Sequence, residues 1–317
     1  MAQIVSVDLG GTHIRAALFP TFEPTPATQT KIETLATEGP DAVIERISKT
    51  IESQIPDNTE KDQIRIGIGA PGPLDPATGV ILEAPNLPGW KNIPLVERMQ
   101  ARFGCPIALG NDANMAALAE WQFGAGEGTQ HLIYLTISTG IGGGIIIDGR
   151  LLTGARGYAG EVGHVSISLN GPLCGCGQHG HVEALAAGPA IARLAEEKLS
   201  AGQESSLREK YESEGEIRAE DVGPAAHQGD PLALETLDEI GDILGHHLAN
   251  LAHTFNPEIF VLGGGVSQIG EPFFTPIREA MQKYVIHPSY LEGLRIVPAA
   301  LGDDAGLVGA MILAHQK

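Results

Sequence analysis

The chain has 317 residues, 43% of them hydrophobic, which is about twice a typical domain and supports two cores. A formal net charge of −19 opposes nucleic acid and anionic membrane surfaces as partners, and no apolar run approaches the roughly 20 residues that span a bilayer. The opening Met-Ala-Gln-Ile-Val-Ser-Val-Asp lacks the basic and apolar regions of a secretory signal, and three cysteines make no disulfide framework, so a cytoplasmic protein is expected.

Ile4 to Leu9 is a β-rich apolar run containing Asp8, and Gly10-Gly11-Thr12 follows it. Ile14 to Phe19 reads as a second strand, which puts the glycines at the bend of a hairpin. The dinucleotide fingerprint and the P-loop both require a helix directly after their glycines, and neither fits here. An edge strand is expected over 30–36. Val43, Ile44, Ile47 and Ile51 have helical spacing within 41–54, and 57–62 is a polar loop. A strand over 64–69 ends in Ala70-Pro71-Gly72-Pro73. A turn at 75–79 and an irregular loop at 84–90 come before a helix over 95–103 and a strand over 106–109. A helix then starts at Asn111-Asp112-Ala113-Asn114 and runs to 124.

Residues 131–138 form a strand, Thr139 to Gly144 a glycine-rich turn, and 145–148 a returning strand. The organisation of the first hairpin is thereby repeated, which implies two related domains facing each other. Further on, helices are expected over 188–201 and 231–254, on either side of a highly charged segment at 204–220. A strand over 259–262 enters Gly263-Gly264-Gly265, with a helix after Pro272, a strand over 294–298 and a closing helix over 305–314. Strands alternating with helices point to α/β layers.

Five groups of residues have chemistry to offer. Gly10, Gly11 and Thr12 let backbone N–H groups surround phosphate oxygens, and Asp8 at the strand end suits magnesium; a plain tight hairpin has the same composition. Thr139 and Gly140 begin a turn with more glycine than a bend needs, and Gly263 to Gly265 permit flat contact with an adenine or ribose. Asp112 before an alanine-rich helix reads either as an N-cap or as a general base oriented by Asn111. Cys174 and Cys176, one residue apart and flanked by histidines, suit structural zinc better than a bridge. The ligand set is His164, Cys174, Cys176 and His181, with His179 as the alternative for the last place. A closed site of four ligands leaves no position for an activated water, so such a zinc braces the loop carrying Glu161 and Glu183. Those two carboxylates also read as ordinary surface charges.

With these residues assembled, the chain resembles the ROK family (repressor, open reading frame, kinase) of sugar kinases, its glucokinase members in particular. The likeness covers essentially the whole length. It rests on Asp8-Leu-Gly-Gly-Thr12, Gly69-Ala-Pro-Gly72, Asn111-Asp-Ala-Asn114, Ser138-Thr-Gly-Ile-Gly-Gly-Gly144, Glu161-Val-Gly-His164 and Cys174-Gly-Cys-Gly177. The resemblance implies an α/β, two-domain actin-like ATPase (ribonuclease H-like) fold with an active-site cleft between domains. It implies ATP and Mg2+, with Asp112 as the base acting on a sugar 6-hydroxyl. Asn86, Asn111, Asp112, Glu161, His164 and Glu183 match sugar-binding positions. Asp8, Gly10, Gly11, Thr12, Thr139 and Gly140 match the phosphate loops, and Gly263, Gly264 and Gly265 the adenosine side. The usual zinc cluster has a third cysteine where His181 stands here, leaving a Cys2His2 set.

The expected division is a small α/β domain of 1–111 plus 304–317 and a large one of 112–303 with the zinc loop. The leading function is ATP-dependent phosphorylation of a hexose, glucose first. Mannose, fructose or an N-acetylhexosamine is the alternative. A sugar-responsive repressor of the family would have a DNA-binding domain before the first hairpin and a less acidic chain, and a non-catalytic sugar sensor would lack the base. A homodimer or homotetramer is implied by the family.

Overall fold

The computed structural model describes residues 2–57 and 59–317; Asn58, in the expected polar loop, lies outside them. Two compact units form, residues 1–128, 144–160 and 301–317 in the first and 129–143 and 161–300 in the second. In chain order come β1 (Gln3–Leu9), β2 (His13–Phe19), β3 (Thr28–Glu33), α1 (Pro40–Glu52) and β4 (Ile64–Ala70). Then follow β5 (Leu74–Asp75), β6 (Val80–Glu83), β7 (Lys91–Ile93), α2 (Leu95–Phe103), β8 (Ile107–Asn111) and α3 (Asp112–Phe123). Next are β9 (Leu132–Ile137), β10 (Ile141–Ile147), β11 (Arg150–Leu151), α4 (Val182–Ala186), α5 (Gly188–Ser200), α6 (Arg208–Glu214), α7 (Ala219–His227) and α8 (Pro231–Phe255). The last elements are β12 (Ile259–Gly263), α9 (Glu271–Tyr284), β13 (Arg295–Pro298) and α10 (Ala305–His315).

The first unit is built on a sheet of order β3-β2-β1-β4-β8. β1 and β2 pair antiparallel as the expected glycine hairpin, with Asp8 opposite Arg15, while β4 and β8 run parallel to β1. The apolar faces of α1 and α2 (Val43, Ile47, Ile51, Met99) join Val5, Val7, Ile66 and Ile68 of the strands in one buried cluster. α10 and α3 cross with their backbones in contact: a β-carbon at Gly309 would come within 1.9 Å of the Met115 carbonyl oxygen. This packing keeps α3 in the first unit, so the units divide the chain differently from the expected boundaries at 111/112 and 303/304. β5, β6 and β7 form a small antiparallel sheet on either side of the turn read at 75–79 and the loop read at 84–90; strands of two to four residues are too short for a periodic signal.

The second five-stranded sheet repeats the order of the first, as β11-β10-β9-β12-β13. β9, β12 and β13 are parallel, like the core strands of the first sheet. β10 starts at Ile141, so Gly142 to Gly144 lie in the strand and the turn shrinks to Ser138–Gly140. The reason is packing: a β-carbon on Gly144 would sit 2.5 Å from the Ala117 β-carbon, so the strand lies directly on α3. In the second unit α8 packs on α9, where Gly241 and Gly245 face Pro276 and Ala280.

Candidate active site

In the first unit, Arg15 donates from both Nε (3.0 Å) and Nη2 (2.5 Å) to the same oxygen, Oδ2, of Asp8. Gly306, at the start of α10, rests on that carboxylate; a β-carbon there would be 3.0 Å from the Asp8 Cγ. Asp8 therefore sits at the positive end of α10, where an anion is favoured. The hairpin bend is fixed by Gly10, whose N–H donates to His13 O (2.9 Å) and whose carbonyl accepts from Thr34 Oγ1 (2.7 Å). Gly11 lies against Asn86, where a β-carbon would come 3.0 Å from the Asn86 β-carbon, so one expected sugar-binding residue borders the bend of the β1–β2 hairpin.

Asn111 ends β8, and its Oδ1 accepts the N–H groups of Ala113 (3.0 Å) and Asn114 (3.2 Å). Asn111 is thus the N-cap of α3. The cap expected of Asp112 belongs to its neighbour, and Asp112 is the first helical residue. Asp112 is exposed, and its Oδ1 accepts the Ala113 N–H at 2.8 Å. Its carboxylate stands at the helix N-terminus. With Oδ1 of Asn111 committed to capping, its Nδ2 lies beside Gly72, where a β-carbon would come within 3.1 Å of it.

In the second unit, Ser138 N–H donates to Gly140 O (2.9 Å), and Gly188 N–H donates to Ser138 O (2.8 Å). The start of α5 is thereby tied to the turn, and helix N-termini bind phosphates readily. Glu183 Oε2 accepts the N–H of Ile141 at 2.9 Å, and its Oε1 accepts the Cys174 thiol at 3.3 Å. Gly163 lies against the carbonyl of Ile141, where a β-carbon would come within 1.9 Å, so the turn bearing Glu161 and His164 is seated on the start of β10. A cavity of about 440 Å³ opens here, lined by Ser138, Thr139, Gly188, Pro189, Gly265, Val266 and the stretch Ile217 to Glu220. Of the three expected adenosine-side glycines, Gly265 lines it. Gly263 backs onto Tyr134, and Gly264 onto the backbone of Ile137.

His164, Cys174, Cys176 and His181 converge, with one donor atom from each lying within 4.8 Å of all the others. Cys176 Sγ is 3.2 Å from His181 Nδ1, and Cys174 Sγ is 3.8 Å from His164 Nδ1. His179 points elsewhere, its Nδ1 donating to Gly171 O at 3.0 Å. Two sulfurs and two imidazoles make a set that fits tetrahedral zinc, with bonds of about 2.0–2.3 Å. Burial pushes the Cys174 thiol up to about 11, so a metal that takes it as thiolate must displace a proton.

Comparison with known proteins decides the family. The chain matches the ROK family profile over residues 4–317. It belongs to the ROK family. This ROK protein is 38% identical over 315 residues to the glucokinase of Thermotoga maritima, covering 99% of this chain and 98% of that one. Its fold is similar to the crystal structure of a ROK family glucokinase from Streptomyces griseus in complex with glucose and AMPPNP (TM-score 0.82, 34% identity, 100% of both chains). It is also similar to a ROK family transcriptional regulator, a homolog of the E. coli MLC protein (TM-score 0.86, 29% identity, 99% of this chain and 78% of that one). The architecture is the two-domain actin-like ATPase fold expected for a ROK protein.

The residues expected at the site fall in both units of this ROK chain. Asp8, Gly10 to Thr12, Asn86, Asn111 and Asp112 lie in the first, and Thr139, Gly140, Glu161, His164, Glu183, Gly263 to Gly265 and the metal group in the second. Sequence reading assigned no role to Arg15, to the start of the helix expected over 188–201, or to the 217–220 wall of the cavity. Gly188-Pro189, a helix-opening pair, was the available signal for the second. The 217–220 wall had none, because it sits inside a run of surface charges.

Proposed function

We propose that this protein is an ATP-dependent hexose kinase that moves the γ-phosphoryl group of ATP to the 6-hydroxyl of glucose, giving glucose 6-phosphate and ADP. The observation that carries this reading is the exposed carboxylate of Asp112 at the first position of α3, next to the Asn111 that caps the helix. The Thermotoga maritima relative and the Streptomyces griseus structure, both glucokinases, support it. Asp112 accepts the proton of the 6-hydroxyl as its oxygen attacks the γ-phosphorus and the bond to the bridging oxygen of ADP breaks. Phosphoryl transfer asks chiefly for positioning and charge neutralisation, so one well-placed base is sufficient.

Asn86, the Nδ2 of Asn111, Glu161, His164 and Glu183 hold the sugar in this reading. The amides of Gly10, Gly11 and Thr12, with Thr139, Gly140 and the start of α5, hold the phosphates, and Gly263 to Gly265 border the adenosine. Magnesium enters with the nucleotide as part of the substrate and neutralises the triphosphate. Asp8 suits it because Arg15 occupies Oδ2 alone. Zinc held by His164, Cys174, Cys176 and His181 is structural, cross-linking the loop that positions His164 and Glu183. The protein acts in the cytoplasm as a homodimer or homotetramer.

The test is a coupled assay with glucose, mannose, fructose and N-acetylglucosamine against ATP and polyphosphate. Glucose with ATP is expected to give the highest kcat/KM. Sugar binding without turnover of any hexose would replace the kinase reading with that of a sugar-sensing regulator.

A further inference from the structure

The cavity beside Thr139 is walled mostly by small and aliphatic side chains, Pro189, Ala192, Val266 and Ile269 among them. Its charged side chains are Arg218 and Glu220, at the start of α7. An apolar slot beside a phosphate-binding turn suits the base and ribose of a nucleotide. Aliphatic walls hold a base only through contact area. A guanidinium is flat and stacks on ring faces.

The contacts of Arg218 decide which part of it a nucleotide meets. Nε and Nη2 both donate to Glu216 Oε1, at 3.1 and 2.7 Å, and Nη1 lies 3.7 Å from Glu220 Oε1. Two carboxylates therefore hold the edge of one cation, and their combined charge is negative. That arrangement opposes a triphosphate and leaves the guanidinium faces for a neutral ring. The side chain is 64% exposed, so nothing in the protein core competes for those faces.

We propose that Arg218 recognises the phosphoryl donor: its guanidinium, held at the edge by Glu216 and Glu220, stacks on the base of ATP. The inference rests on the ATP-dependent kinase reading above. It predicts a donor-specific effect at a surface residue remote from the base Asp112 in sequence and from every expected sugar ligand.

The experiment compares Arg218→Ala, Arg218→Lys and Arg218→Tyr in the full-length enzyme, using steady-state kinetics, calorimetric ADP binding and thermal unfolding. Arg218→Ala is expected to raise the KM for ATP and the Kd for ADP by roughly five- to twentyfold, the size of one lost base stack, with the KM for glucose and the unfolding temperature unchanged. Lys keeps the charge without the flat face and stays weak; Tyr keeps the flat face and restores binding. Unchanged ATP and ADP affinity in Arg218→Ala overturns the proposal. Rescue by Lys without rescue by Tyr also overturns it, because the contact would then be one of charge. Failure of the kinase reading is separately visible, since the unmodified enzyme would then turn over no hexose with ATP.

Discussion

Glu183 accepts the backbone N–H of Ile141 at 2.9 Å with one carboxylate oxygen and the Cys174 thiol at 3.3 Å with the other. One side chain thus ties the glycine turn after β9 to the cysteine loop, inside a single compact unit. A residue read from sequence as a sugar ligand is also a strut between two other parts of the site.

Gly140 is the point where that strut leaves no slack, because a β-carbon there would lie 2.5 Å from the Glu183 carboxylate. Gly140→Ala should push Glu183 off Ile141, at a cost of about 1–3 kcal/mol if the turn yields. We expect kcat/KM to fall by at least about tenfold for both substrates, since turn and sugar ligand move together. Steady-state kinetics on the folded variant measure this, and unchanged values for both substrates would refute the strut.

Asp112 and Asn111 separate chemistry from capping. Asp112→Ala should lower kcat by roughly 10²–10⁴-fold while glucose binding stays measurable by calorimetry, because the helix keeps its cap. Asn111→Ala should instead destabilise the fold by about 1 kcal/mol. Turnover retained in Asp112→Ala would remove it from the role of base.

The convergence of His164, Cys174, Cys176 and His181 predicts close to one zinc per chain by elemental analysis. His181→Ala should lose most of that zinc and His179→Ala should keep it, because His179 is turned towards Gly171 O. Equal loss in both variants would contradict the ligand set. Chelation should also lower the unfolding temperature if the metal braces the loop.

His247 in α8 predicts a dependence of stability on pH. It is fully buried, neither ring nitrogen has a protein partner among the described residues, and burial pushes its pKa down to about 4. The unfolded chain, with an ordinary imidazole near 6.5, binds the proton more tightly than the folded one. Stability is therefore full above about pH 6.5 and falls as the pH drops from 6.5 towards 4, by about 2 kcal/mol at pH 5. Urea unfolding at pH 7 and 5 measures the loss, and His247→Leu should lose less on acidification. An identical loss in both proteins would assign the acid sensitivity elsewhere.

Much of the architecture is legible in the sequence. The glycine hairpin of β1 and β2, helices α1, α2, α5, α8 and α10, and the parallel strands β4, β8 and β12 all lie within a few residues of their expected positions. Their signals are local: apolar residues recur at the period of the element, and glycine or proline marks its end. Short or highly charged elements such as β5 to β7, α4, α6 and α7 carry too few periodic residues to be read that way.

The sequence by itself determined the chemistry on offer, because residue type and spacing fix which donors and carboxylates exist: Asp8 and Asp112, the two glycine turns, Glu161 and Glu183, and two thiols among histidines. Tertiary structure alone decided between neighbours. Asn111 rather than Asp112 caps α3, and His181 rather than His179 joins the cysteines. The glycines from 142 to 144 form strand rather than turn, and Arg218 reaches a cavity from within a run of surface charge. The physical reason is common to all four. Adjacent residues differ little in composition, but the backbone sends their side chains in different directions, and only the packing of distant segments fixes those directions.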